Sequence, residues 1–231
     1  MFQGISRLRF MRMAAAVLMI AVLIITMSAP QAQAASGKTK TSTVYDQVIV
    51  KGKYAYCAAY RGIYKVNLKK GTSKILKKTG GLPEVYNAPR SMILYHGYIY
   101  FDSSTSSRSK EPLCRIKTSG KGYKYLANAE TYAISKGKIY YVPFVSGKNK
   151  QMKLNGKGKR NFDCKVKQRH KSTNKKGYYV DRSLKNTYYT KESIDSQYES
   201  VIAHDTYYDY LVCPGGKRIC LCSYTVSHFA D

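Results

Sequence analysis

VIVKGKYAYC at residues 48–57, ILYHGYIYFD at 93–102 and AISKGKIYYV at 133–142 are three versions of one phrase, and they decide the fold. Each is an apolar run, a two-residue polar or glycine turn, and then tyrosine and isoleucine in alternation. The glycines Gly52, Gly97 and Gly137 stand 45 and 40 residues apart. Alternation puts residues two and four after the glycine on one strand face, which aligns Tyr54 and Tyr56 with Ile99 and Phe101 and with Ile139 and Tyr141 as core positions. Tyr60, Tyr64, Tyr98 and Tyr140 fall on the other register, at packing or surface positions. Glycine supplies the positive φ of a tight hairpin.

Outward from each phrase a second signal follows. Ile63-Tyr64-Lys65-Val66 matches Leu113-Cys114-Arg115-Ile116 and Gln151-Met152-Lys153-Leu154, with a basic side chain turned out between apolar neighbours. A lysine-rich glycine turn comes next: Lys70-Gly71-Thr72, Ser119-Gly120-Lys121-Gly122, Asn155-Gly156-Lys157-Gly158. Lys74-Ile75-Leu76 and Lys124-Tyr125-Leu126 then close the first two units. About four short strands per unit of about forty residues is the period of propeller blades. The expected fold is all-β, built of propeller-like repeats of about four antiparallel strands after an N-terminal signal-peptide helix. A mature chain of this length holds at most about four or five such units, few for a closed ring, so an incomplete ring or an oligomer is open.

The turns GKYAY, GYIYF and GKIYY, with LCRIKTSGKGYKYL, resemble the LDL-receptor-related-protein-like β-propeller repeats of secreted proteins of Gram-positive bacteria. The resemblance covers about residues 44–162 and implies the fold alone, since that family has no assigned function. Tryptophan is absent, so the Tyr-Trp-Thr-Asp form of the repeat is missing. Ser103 to Lys110 reads as a polar loop, flexible by composition, inserted in the second unit. After Asp163 the register weakens. Asn174 to Val180 and Asn186 to Thr190 read as the two arms of a hairpin, and Pro214-Gly215-Gly216-Lys217 as the turn of another. The domain reading is a signal peptide at 1–34, a short linker at 35–43, three repeats at 44–162 and a divergent β-rich region at 163–231.

Arg7, Arg9 and Arg12 precede an apolar run from Ala14 to Met27, and Ala32-Gln33-Ala34 fits a signal-peptidase site. Fourteen apolar residues rise about 21 Å as helix, short of the roughly 30 Å hydrocarbon core, so cleavage after Ala34 is expected rather than retention as an anchor. Removing residues 1–34 leaves 197 of the 231 and, with three arginines gone, lowers the formal net charge from +27 to +24. An excess of that size attracts polyanions and is screened by salt over about 8 Å. For an exported protein the expected partners are an anionic wall polymer, a glycan or membrane surface, or a protein. Nucleic acid is disfavoured by location and by the lack of a reading motif. The six cysteines at 57, 114, 164, 213, 220 and 222 lack the spacing of a disulfide framework or a zinc site, and are read as mostly free thiols, with a single bridge left open.

Catalytic material is sparse. His96, His170, His204 and His228 are scattered, with His96 in a turn slot aligned to Lys51 and Lys136. His204 and Asp205 are neighbours on a strand and so point to opposite faces. Asp102, Glu111 and Glu130 show no motif spacing, and no hydrolase, phosphate-loop or calcium-loop pattern is present. No residue is assigned as catalytic, as cofactor-binding or as a metal ligand, and no cofactor is expected. Twenty-three tyrosines among lysines and arginines suit contact instead. The function expected is a secreted, non-catalytic binding protein. The rival is an extracellular hydrolase or lyase acting on glycans or peptides, with a site assembled from converging loops.

Overall fold

Three glycine-punctuated phrases become three four-stranded antiparallel meanders. In this computed structural model the described residues are 39–78, 89–103, 112–145, 147–174, 177–195 and 198–229. The signal-peptide helix read at 1–34 and the loop residues from Ser104 to Lys110 lie outside them. Every element among the described residues is a strand, and none is an α-helix. The first unit is β2 (Val48–Lys51), β3 (Tyr54–Ala59), β4 (Gly62–Asn67) and β5 (Thr72–Lys78). The second is β6 (Pro89–Tyr95), β7 (Tyr98–Ser103), β8 (Pro112–Lys117) and the first half of β9 (Lys124–Ser135). The second half of β9 starts the third unit, with β10 (Lys138–Pro143), β11 (Lys150–Lys153) and the two-residue β12 (Arg160–Asn161).

The three hairpin turns use glycine in two ways, which shifts one expected alignment. Tyr95 pairs with Tyr98 and Ser135 with Lys138, so His96-Gly97 and Lys136-Gly137 are the turn residues. All four have positive φ (45°, 76°, 47° and 71°), as a type I′ turn requires. In the first unit Lys51 pairs with Tyr54, so the turn is Gly52-Lys53, and only its first residue, Gly52, has positive φ (57°), the arrangement of type II′. The residues matching Ile99 and Phe101 are therefore Ala55 and Cys57, one place later than glycine alignment put them. Tyr56, Tyr100 and Tyr140 become the matched tyrosines, all three buried, while Tyr54 and Tyr98 are half-buried beside the turns. His96 matches Lys136 and Gly52 rather than Lys51.

The two faces of the first and of the second sheet are buried against different neighbours. Tyr56, Ala58 and Ile63 of the first unit pack on Ile99, Phe101 and Ile116 of the second. Tyr100 and Leu113, on the reverse of the second sheet, pack on Ile139, Tyr141 and Met152 of the third. Near-continuous burial along β3 and β7 follows from this stacking on both faces. The other face of the first unit, with the small residues Ala55, Cys57 and Ala59, receives Leu211, Ile219 and Leu221 of a C-terminal sheet. That sheet is β14 (Tyr179–Asp195), β15 (Tyr198–Val212) and β16 (Arg218–Phe229), in sequence order. Asn174 to Val180 and Asn186 to Thr190 are thus not two arms of a hairpin. Residues 179–195 run as one strand, because the polar residues between them still alternate and carry no turn glycine. Pro214-Gly215-Gly216 does form the β15–β16 turn, closed by Cys213 N–H to the Lys217 carbonyl at 2.8 Å. Strand β1 (Lys40–Tyr45) begins inside the segment read as a linker. It pairs in parallel with β13 (Val166–Lys171), and Ser42 bonds both the carbonyl and the N–H of Ile134 on β9.

One contact is copied between units. A Cβ on Gly120 would lie 3.2 Å from a methyl of Leu76, and one on Gly156 would lie 3.0 Å from the matching methyl of Leu126. Each closing strand therefore seats its leucine on the glycine loop of the unit that follows. All six cysteines are free among the described residues, with Cys57, Cys114 and Cys164 buried. Burial raises the Cys57 thiol, which keeps it protonated and unreactive.

The buried tyrosines make stability sensitive to alkali. Burial raises Tyr56, Tyr60, Tyr100, Tyr132, Tyr141 and Tyr224 above the ordinary tyrosine value. An acid whose pKa is raised by folding adds stability that is fully present below its unfolded pKa and is lost as pH climbs through the folded one. Thermal unfolding should be flat to about pH 9 and fall above about pH 10. Tyrosinate absorbance that rose in full while the fold persisted would contradict this.

Candidate anion-binding groove

Each unit sets a tyrosine opposite a polar side chain across its second and third strands: Tyr56 opposite Lys65, Tyr100 opposite Arg115, Tyr140 opposite Gln151. In the first two units these side chains reach the next unit. Lys65 Nζ donates to the Thr118 carbonyl at 3.2 Å, and Arg115 Nη1 to the Leu154 carbonyl at 2.9 Å. Thr118 and Leu154 are matched positions, directly after Lys117 and Lys153. The third unit has no copy beyond it. There Gln151 turns its amide oxygen to the Arg160 guanidinium, while Tyr140 packs on Phe162 at 4.9 Å with Lys40 Nζ 5.1 Å from the Tyr140 ring. Lys153, which the sequence pattern placed at the basic position, pairs with Lys138 at the strand end, and Leu154 is already in the turn.

One strand farther out, the first two units diverge. Lys65 pairs with Lys74 across β4 and β5, as Arg115 pairs with Lys124 across β8 and β9. Lys124 Nζ donates to the Asn155 carbonyl at 2.9 Å, so both cations of the second unit are satisfied by the loop of the third. In the first unit Lys65 alone makes its bond of this kind. Lys74 and Lys70 stay exposed, and with Tyr54, Lys65, Asn67, Thr72 and Ser73 they line a cleft of about 280 Å³. Lys65 Nζ lies 4.1 Å from the centre of the Tyr54 ring and Lys53 Nζ lies 5.6 Å from it. Asn67 Oδ1 accepts the Lys70 N–H at 3.1 Å, which keeps the amide N–H groups as donors. Among the described residues no carboxylate stands within 4 Å of Lys53, Lys65, Lys70 or Lys74. The groove is therefore an uncompensated cluster of ammonium groups.

Asp209 is the other polar feature of note, a buried carboxylate that sequence reasoning passed over in the run YYDYLV. It accepts the Tyr60 N–H at 2.8 Å and the Arg182 Nε–H at 3.0 Å. Tyr60 and Tyr224 stack with ring centres 3.7 Å apart, and the guanidinium sits 5.4 Å from the Tyr224 ring. Burial pulls the Arg182 pKa down, but the bond and charge of Asp209 more than reverse it. This cluster fastens the β3–β4 turn to the C-terminal sheet, and its acid is fully engaged.

The histidines do not converge. His96 is exposed in its turn, with its ring on Tyr95 at 4.3 Å. His170 meets Asp46 at 3.0 Å in an exposed pair. His204 lies between Thr190 at 2.5 Å and Ser227 at 2.8 Å, stacked on Tyr188. Its neighbour Asp205 engages Thr187 at 2.6 Å and Tyr207 at 3.2 Å, with His228 at 3.8 Å. Asp102 is the penultimate residue of β7, Glu130 is exposed on β9, and Glu111 lies outside the described residues. Among the described residues no three His, Cys, Asp or Glu side chains gather in a group that could hold a metal ion, and no helix is long and apolar enough to cross a membrane.

No protein-family model matches the sequence, and no curated protein does. Solved structures similar to the chain include an oligogalacturonate lyase in complex with manganese, at TM-score 0.38 and 7% identity. The match covers 74% of this chain and 50% of that one, so the chain spans about half the length of that structure.

Proposed function

We propose that the protein is a secreted, non-catalytic binding module of propeller-like β repeats that engages an anionic polymer of the cell surface. The observation that carries this reading is the cleft on the first unit, lined by Lys65, Lys70 and Lys74 with no acid within 4 Å of them among the described residues. Its copy between units two and three is closed by the protein's own carbonyls. The formal charge of +24 left once the leader's three arginines are removed from +27 supports long-range attraction, and the leader-like N-terminus supports an extracytoplasmic location. The all-β fold with three four-stranded units supports the propeller-like description.

Fractionation followed by a salt wash tests it. The protein should stay with the wall fraction at low ionic strength and leave it at about 1 M salt, where the screening length shrinks to about 3 Å. Retention unchanged by salt, or no retention on purified wall polymer, would remove the electrostatic basis of the reading.

A further inference from the structure

Resting on that reading, we infer that the lysine-bearing turns of successive sheets form one basic rim, and that the partner is a linear polyanion long enough to lie across several sheets at once. In an antiparallel meander the first and third connections leave from the same end. The Leu68 N–H donates to the Lys53 carbonyl at 3.0 Å, and the Thr118 N–H to the Gly97 carbonyl at 2.9 Å, which joins the two turns within a unit. Leu76 lies against Gly120, and Lys124 reaches Asn155, which sets the third connection of one unit beside the fourth strand of the unit before it. The β15–β16 turn extends the row, with Lys217 Nζ 3.6 Å from where a Cβ on Gly71 would stand.

Charge is sorted between the two ends of this stack. The rim carries Lys53 and Lys70 in the first unit, Lys121 in the second, and Lys136 and Lys157 in the third, all exposed. No acid occurs in its turns at residues 51–53, 68–71, 96–97, 118–123, 136–137 and 154–159. Between residues 39 and 174 the described acids are Asp46, Asp102, Glu130 and Asp163, and all four fall at the other end. Asp46 precedes Gln47, whose carbonyl accepts the Ala58 N–H, and Asp163 follows Phe162, which bonds Asn149. Asp102 pairs with Leu113, and Glu130 follows Ala129, the partner of Pro143. On the C-terminal sheet, Asp181 is held by Arg218 at 2.6 Å. Sheets packed face to face lie about 10 Å apart, so a row across four of them runs about 30 Å. A small anion touches one or two of these lysines, whereas a chain of charges meets them in turn, each further contact gaining from the tether. Nothing lies within 4 Å of a Cβ on Gly52, Gly97 or Gly137, so the turns are open. Point charges on open turns read charge spacing, so carboxylate and phosphate polymers share the rim.

Titration calorimetry of the protein at low salt with tetraglutamate and dodecaglutamate is the test, the longer chain spanning about 40 Å when extended. A single local site would give it only a statistical advantage of about ninefold, and the rim should give at least about a hundredfold. Lys53→Gln with Lys121→Gln and Lys157→Gln, one from each unit and none lining the cleft, should weaken dodecaglutamate about a hundredfold, at about fivefold per lysine. Arg61→Gln with Lys78→Gln and Lys148→Gln, at the other end, should cost no more than about threefold. The same length dependence should hold for linear polyphosphate. A gain of about ninefold or less, or equal losses from the two triple variants, overturns the rim while leaving a polyanion-binding protein. Length dependence confined to one polymer class, or oligothymidylate of equal charge binding tenfold tighter than dodecaglutamate, overturns recognition by charge spacing. Binding of no probe removes both this inference and the proposed function.

Discussion

Replacing Arg182 with methionine is expected to lower stability by about 3–5 kcal/mol, the scale for stripping a buried charge of its partner. The Asp209 side chain is 1% exposed against 35% for Arg182, so the two partners are not equivalent. Without the guanidinium, a carboxylate is left in the joint between the first unit and the C-terminal sheet with the Tyr60 N–H as its main support. Asp209→Asn should cost less, about 1–3 kcal/mol, because the amide oxygen still accepts from Tyr60 and the partly exposed Arg182 can rehydrate. Thermal unfolding reads the order directly. At about 2–4 °C per kcal/mol for a chain of this size, the methionine variant should melt about 10 °C below the parent. An asparagine variant less stable than the methionine variant would refute the account.

Gly62→Ala should be at least as damaging, with a loss of about 4 kcal/mol or more. Gly62 has φ +142°, and a Cβ there would lie 1.9 Å from the Lys77 carbonyl oxygen. Backbone strain alone is worth about 1–3 kcal/mol. The remainder comes from forcing β5 away from β4, since the atom in the way is main chain and cannot swing aside. Gly137→Ala is the control: φ is +71° and nothing lies within 4 Å of the added methyl, so only about 1–2 kcal/mol is at risk. Urea unfolding of both variants that gave similar losses would mean that the close approach of the two strands is not rigid.

The repeat was legible because it is local. Alternation and turn glycines fix hairpins within ten residues, and β2–β3, β6–β7 and β9–β10 stand where the three phrases put them. What sequence could not resolve was which of two turn types Gly52 serves. Lys-Gly-Lys is compatible with glycine first or second, and the choice moves every later side chain by one. Lys153 misled for a similar reason, since Met-Lys-Leu imitates the motif two residues late. The β1–β13 pair joins polar segments more than a hundred residues apart and carries no local signal. Of the groove, Tyr54 and Lys65 were visible as types. Its openness rests on Lys74 lacking the bond that Lys124 makes, and only a comparison of the two interfaces in space reveals that.

Strand β9 is a single unbroken run of twelve residues that serves as the last strand of one unit and the first of the next. Those two units share a plank, so they have to loosen together. Among the described residues the first unit shares no strand with either neighbour and leans on them through its side chains. Breathing motions of the folded protein should therefore gather at its two seams. One of those seams is clamped by Asp209, and the other is bridged by the bond from Lys65 to the Thr118 carbonyl. A small parting of those sheets undoes no hydrogen-bonded strand ladder among the described residues.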